Sequence, residues 1–177
     1  MNCHLRFGLT LMLLGVLWSF SYLPASPQTK GSDFEDPDGM YSLTLPPGWQ
    51  AVTSRDGLGR TEVNIVHQVR ENAALKIRRI TVEPGTTALD QAVRDENQSL
   101  RFLPGYAKGA IENFAAANGA ALVTYDFTSG GRPMMGRSYY LLVNETTIYL
   151  LRFTGTRNTL GPLRNQTDAI ARSFKGR

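Results

Sequence analysis

The chain is poor in the residues that carry most side-chain chemistry. Its 177 residues include one cysteine, Cys3, and two histidines, His4 and His67. A single cysteine forms no disulfide within the chain and builds no cysteine-based metal or redox centre. Cys3 also precedes the apolar run near the N-terminus, which is the wrong side for a lipoprotein cleavage site. Zinc asks for three or four N, S or O ligands, and beyond the N-terminal segment there is no second imidazole to join His67. A Ser-His-Asp arrangement would need His67 too. That residue alternates with Val63, Ile65 and Val69 in TEVNIVHQV, the pattern of a packed histidine on the dry face of a strand. No G-x-S-x-G is present.

Other absences narrow the reading further. Ser129-Gly130-Gly131-Arg132 is glycine-rich, but it joins two strands instead of opening a helix, so it lacks the helix N-terminus that cradles phosphate. Asp36, Asp38 and Gly39 do not continue into the spacing of a calcium loop. No basic run exceeds Arg78-Arg79, which excludes the usual nucleic-acid motifs. The sequons beginning at Asn97, Asn144 and Asn165 read as chance, two of them falling on predicted helices. No catalytic residue, cofactor site or metal site is expected, although a weak surface calcium or manganese site stays open as an alternative.

What is present begins with a leader. Phe7–Phe20 is an uncharged stretch that follows Arg6 and ends shortly before the small residues Ala25 and Ser26. At fourteen residues it is short for a membrane span and right for a signal-peptide core. Residues 1–25 are read as a signal peptide or an uncleaved N-terminal anchor, and either places the rest of the chain outside the cytoplasm, periplasmic or extracytoplasmic. Residues 26–38 are rich in Pro, Gly, Ser and acid, the composition of a linker, so the domain is expected over 39–177. The whole chain carries +4, but the acids Asp33, Glu35, Asp36 and Asp38 lie in the linker. From Gly39 onward there are 17 basic residues against 11 acids, a cationic body that favours anionic partners.

The domain opens on GMYSLTLPPGWQ. Tyr41, Leu43 and Leu45 share one face of a strand, Pro46 and Pro47 remove the donors that would extend it, and Gly48 supplies the turn before Trp49. A second strand covers residues 61–69. A third, residues 74–82, has Leu75 and Ile77 on one parity and Ile80 and Val82 on the other, which predicts a β-bulge at Arg78-Arg79. Helical spacing of Leu89, Ala92, Val93, Glu96, Leu100 and Leu103 predicts a helix over 88–103, with Thr87 as its cap. A weak strand at 107–114, a turn at Asn118-Gly119 and a strand from Ala121 come next. The stretches SYYLLV and TIYLLRF are apolar on both parities, as in a strand covered on both faces. Gly161-Pro162 open a last helix with Leu163, Thr167, Ile170, Ala171 and Phe174 as its buried stripe. The order implies an α+β fold: an antiparallel sheet of about six strands with helices packed on both faces, its centre near the C-terminus.

The run F-x-D-x-x-G-M-Y-S-L-T-L-P-P-G-W, from Phe34 to Trp49, resembles the start of a PsbP-like domain. SYYLLVNETTIYLLRF, followed by a helix ending in Ile170-Ala171-x-Ser173-Phe174, is similar to the closing hairpin and helix of the same group. The likeness covers roughly residues 34–175. It implies the Mog/PsbP-like α/β/α sandwich of the photosystem II extrinsic protein and of DcrB-type bacterial envelope proteins. No family site motif maps onto this chain, so no binding or metal residue is carried over. The expected function is an exported, non-enzymatic, monomeric module that binds or helps assemble a membrane-associated protein complex, or an anionic surface, and does not bind nucleic acid. A small-ligand or Ca/Mn-binding protein, or an enzyme with an unseen site, are the alternatives. The partner-binding candidates are Arg132 and Arg137, beside the Gly130-Gly131 turn, and Arg78 and Arg79, at the expected bulge.

Overall fold

A computed structural model describes residues 31–177 other than 56, 58–60, 71, 86 and 117. The leader, Cys3 and the first five linker residues therefore lie outside the described residues. Among the described residues ten strands and three helices follow in the order β1 Ser32–Glu35, β2 Tyr41–Leu45, β3 Trp49–Arg55, β4 Thr61–His67, β5 Ala74–Thr81, α1 Ala88–Leu100, β6 Ala107–Asn113, β7 Ala120–Ser129, β8 Arg132–Asn144, β9 Thr147–Thr156, α2 Arg157–Leu160, α3 Arg164–Ser173 and β10 Lys175–Gly176. A single 3-10 turn, Gly161–Leu163, joins α2 to α3.

The fold is α+β with two sheets. Seven antiparallel strands run in the order β3-β4-β5-β9-β8-β7-β6, and three strands, β1-β2-β10, form a smaller sheet. The sequence implied one sheet of about six strands, and the opening strand β2 in fact belongs to the smaller one. Residues 32–35, read as linker, pair with β2 from Ser32 opposite Leu45 to Glu35 opposite Ser42. Of the acids that suggested a solvated tether, Asp33 and Glu35 sit on the outer positions of this strand while Phe34 packs inward, and Asp36 and Asp38 follow it on the way to β2. The folded unit thus includes β1.

Two apolar clusters lie against opposite parities of the central strands. Tyr139, Leu141, Tyr149, Leu151 and Phe153 join Tyr41, Leu43, Leu45 and Trp49, together with Leu160, Leu163, Ile170 and Ala171 from the C-terminal helical segment. Tyr140, Ile148 and Leu150 join Ala92, Val93 and Leu100 of α1, with Ala121, Val123 and Tyr125 of β7. This double burial is why SYYLLV and TIYLLRF lack alternation. Tyr125 lies directly over Gly136 on the neighbouring strand, where a Cβ would collide with its ring.

The expected bulge in β5 is absent. Ala74 to Thr81 pairs residue for residue with Thr154 to Thr147 of β9. The apolar parity switches because the strand has dry surface on both faces: Leu75 and Ile77 enter the first cluster, Ile80 the second, beneath α1. A regular strand with each half buried on a different side gives the same pattern as a one-residue slip. Shifts in register lie instead in β6, between Lys108 and Ile111, and in β8, between Leu142 and Asn144.

Thr87 stands at the N-cap of α1 but makes no side-chain capping bond. The helix ends at Leu100 and closes through single turns, Leu103 N–H to the Leu100 carbonyl and Tyr106 N–H to the Leu103 carbonyl.

Candidate functional site

The motif P-P-G-W is built into the first cluster. Trp49 closes the turn with its N–H on the Pro46 carbonyl (3.1 Å), and Gln68 donates to the Gly48 carbonyl (2.7 Å), so both arms of the β3–β4 pair are held. The indole lies edge-on to His67 (5.3 Å) and to Phe153 (5.6 Å), and its Nε1–H donates to Gln166 Oε1 (2.8 Å). Trp49 is therefore a buried junction between β3 and α3 and has no face left for a ligand. His67 is 7% exposed, and its Nδ1 accepts the Arg70 N–H (3.2 Å). Burial, and then the Arg70 charge, hold its pKa below the usual 6.5. Among the described residues no carboxylate is one of its hydrogen-bond partners, and the geometry gives it a packing role.

The four arginines singled out in the sequence go to different places. Arg137 is 4% exposed and does not face a partner. Its Nη2 donates to Asp168 Oδ1 (2.8 Å) and to the Tyr139 hydroxyl (2.9 Å), and its Nε donates to Thr167 Oγ1 (3.2 Å). Tyr139 in turn donates to Asp168 Oδ1 (2.5 Å), and burial above all, helped by that bond, pushes its pKa up to about 12. This network ties β8 to α3. The reading of Arg137 as a surface contact is overturned because its strand position faces the first cluster, whereas Arg132, five residues away, has the opposite parity. Arg132 remains exposed at the end of the β7–β8 hairpin. Arg79 is exposed on the side of β5 opposite Arg78 and reaches Thr147 Oγ1 (3.5 Å).

Arg78 lines a concave surface under α1. Helical spacing puts Glu96 on the inner side of α1, where its carboxylate is 9% exposed and pairs with both Arg78 of β5 and Arg152 of β9. Arg78 reaches inward from solvent, with its side chain 59% exposed, while Arg152 is more deeply set at 31%. Burial, and next the Arg78 charge, lower the Arg152 pKa from its ordinary value. Two polar atoms beneath the same helix, Tyr140 Oη and Arg152 Nε, find no hydrogen-bond partner among the described residues.

Beside this triad a cleft of about 550 Å³ opens between α1 and the end of β5. Ile80, Val82, Ala88 and Ala92 give it an apolar floor, and Asp95 and Ser99 stand on its helical wall. A second recess of about 290 Å³, lined by Lys76, Ile77, Arg78, Leu150 and Arg152, adjoins it through Arg78. The size lies within the range of ordinary binding clefts, roughly 300–1,000 Å³. Arginine 78 was visible in the sequence as a charge. Glu96 was legible only as a polar interruption of a helical stripe, and Arg152 not at all, because their meeting depends on the packing of α1 across β5 and β9.

Among the described residues no group of three or more His, Cys, Asp or Glu side chains is placed to hold a metal ion. No helix there is long and apolar enough to cross a membrane.

Comparison with solved structures gives the fold its relatives. The cyanobacterial PsbP (CyanoP) of Synechocystis sp. PCC 6803 matches with a TM-score of 0.57 at 14% identity, over 84% of this chain and 93% of that one. LpqN of Mycobacterium tuberculosis, described as involved in cell envelope biogenesis, matches at 0.54 with 12% identity, over 82% and 90%. A Bacteroides thetaiotaomicron protein matches at 0.59 with 11% identity over 84% of this chain, which spans about half (49%) of that protein. No protein-family model and no curated protein sequence matches the chain. The fold is PsbP-like, as the opening and closing motifs suggested, and identities this low speak for the fold alone.

Proposed function

We propose that the protein is an exported, non-enzymatic PsbP-like module that docks on a membrane-associated protein complex of the cell envelope. The observation that carries this reading is the α1–β5 cleft, whose apolar floor is flanked by Glu83, Asp95 and Glu96, together with the adjoining recess, where Lys76, Arg78 and Arg152 form a cationic end. Such a surface suits an elongated partner with apolar and acidic groups better than a compact reactant. The fold shared with a cyanobacterial PsbP and with an envelope-biogenesis protein supports the same reading, and the leader-like Phe7–Phe20 run supports export.

Crosslinking capture of the tagged full-length protein from its native envelope tests the proposal. One dominant membrane-complex partner, lost with Arg78→Glu but kept with Arg132→Glu, is the expected result. Recovery of free monomer alone would sink it. Calorimetry of the purified protein with calcium, manganese and common anions then decides whether a small ligand takes the partner's place.

A further inference from the structure

Strand β5 lies inside the large sheet, yet much of one edge is unused. Against β9 it is registered along its whole length, but against β4 only Ala74 and Leu75 are paired, with Val66 and Ile65. β4 remains with β3 over all seven of its residues. The sheet therefore splits after Leu75, and the arm from Lys76 to Thr81 has no strand beside it among the described residues.

Antiparallel alternation decides which groups face the split. Val82 donates its N–H to the Thr146 carbonyl (2.9 Å), so the even-numbered residues of β5 direct their main-chain groups at β9. Leu75, of the odd set, faces Ile65 of β4. Ile77, Arg79 and Thr81 continue the odd set, and their N–H and C=O groups point into the split. This is an open template for another strand.

Side chains along the arm define what would fit. Ile80 and Val82 are half-buried and floor the cleft under α1, so alternate residues of an added strand would drop apolar side chains there. Of the exposed cations along the arm, Lys76 and Arg78 share the cleft side with Ile80 and Val82, where Glu83, Asp95 and Glu96 already supply negative charge, whereas Arg79 stands on the opposite side. We infer that β5 accepts an extended peptide segment of the partner as an additional strand, with apolar residues toward the cleft and acidic residues on the side of Arg79, bonded through the main chain of Ile77, Arg79 and Thr81. This deepens the docking reading above and rests on it.

The test uses ¹⁵N-labelled full-length protein and a synthetic peptide alternating valine with glutamate. In the free protein the amides of Ile77, Arg79 and Thr81 are expected to exchange readily and those of Arg78 and Ile80 to be protected by β9. Millimolar peptide should slow the first three by about tenfold or more and leave the other two unchanged. Methylating alternate peptide nitrogens, or replacing glutamate by lysine, should abolish the effect. Arg79→Pro removes an outward main-chain donor, as an edge position tolerates, together with the exposed guanidinium and its long contact to Thr147, and should retain the fold while losing the protection.

No protection with the glutamate peptide, or equal protection with the methylated or lysine peptides, would overturn the inference. Protection that instead grows with protein concentration alone would make a second copy the occupant and overturn it as well. A photocrosslinker at Arg79 separates the two failures. A complex captured through other surfaces while the peptide arms are silent ends strand addition and leaves docking intact, whereas silence in both ends both.

Discussion

Gly48 lies so close to His67 that a Cβ on the glycine would stand 2.8 Å from both Cε1 and Nε2 of the imidazole. The same residue has a φ of +91°, in the region that side-chain-bearing residues rarely adopt. Both constraints fall on the glycine of P-P-G-W, which explains why the turn needs that residue between proline and tryptophan. Gly48→Ala is expected to lower stability by about 2–4 kcal/mol, the sum of backbone strain and overpacking. Denaturant unfolding measures it. Pairing it with His67→Ala should return the overpacking share and leave the backbone share, so strictly additive losses would remove the steric account.

His67 also sets a pH dependence. Its folded pKa lies below the ordinary 6.5, so the unfolded chain binds the proton more tightly. The stability this neutral histidine supports is complete above pH 6.5 and falls as pH drops from 6.5 through the lower folded value. Unfolding curves for the wild type and His67→Gln should converge in slope above that range and separate below it, with the wild type losing more. Parallel curves throughout would mean that the ring takes up its proton as readily folded as unfolded.

Legibility in the sequence followed the number of dry faces. Strands with one buried face, such as β2 and β4, announce themselves by alternation, and α1 by its stripe. β5 misled because its two halves bury opposite faces, a fact contributed by α1 and absent from the strand itself. β1 was hidden by acids on its outer positions, since pairing through the main chain leaves little mark on composition. Trp49 is legible in the sequence only as the end of P-P-G-W, because its partner Gln166 lies 117 positions away and no local pattern links them. The arginines were the hardest: Arg78, Arg79 and Arg137 look alike in sequence, and only packing separates a cleft residue, an edge residue and a buried cation.

The Arg137–Asp168 pair supplies a discriminating substitution. Asp168→Ala strands a guanidinium that is almost wholly enclosed, and the expected loss is about 3–5 kcal/mol. Arg132→Ala, at an exposed hairpin end, should stay within about 0.5 kcal/mol of the wild type. Equal effects of the two would contradict the network. Tyr139 gives a second readout: with its pKa pushed up to about 12, the stability tied to its neutral form is complete below pH 10.0 and is lost as pH rises from there. Ultraviolet titration of the wild type against Tyr139→Phe should show one phenol missing from the late, high-pH phase.

Glu96 holds two arginines of unequal exposure, and its removal separates structure from docking. Glu96→Gln keeps the shape of the side chain and deletes the charge that Arg78 and Arg152 share. Arg152, the more enclosed of the two, then faces Arg78 without a counter-ion, so the loss should approach about 3 kcal/mol. Arg78→Ala removes the exposed partner and leaves Glu96 paired with Arg152, so it should cost under about 1 kcal/mol. The two variants move binding in opposite directions: Glu96→Gln raises the positive potential of the cleft and should tighten an acidic ligand, while Arg78→Ala should weaken it. Added salt should shrink both differences, because the charges at the cleft mouth are open to screening. Thermal unfolding and peptide titration on the same samples check the pair. Should Glu96→Gln leave both stability and binding unchanged, the carboxylate would be no more than a surface partner, and the charge asymmetry assigned to the cleft would fall with it.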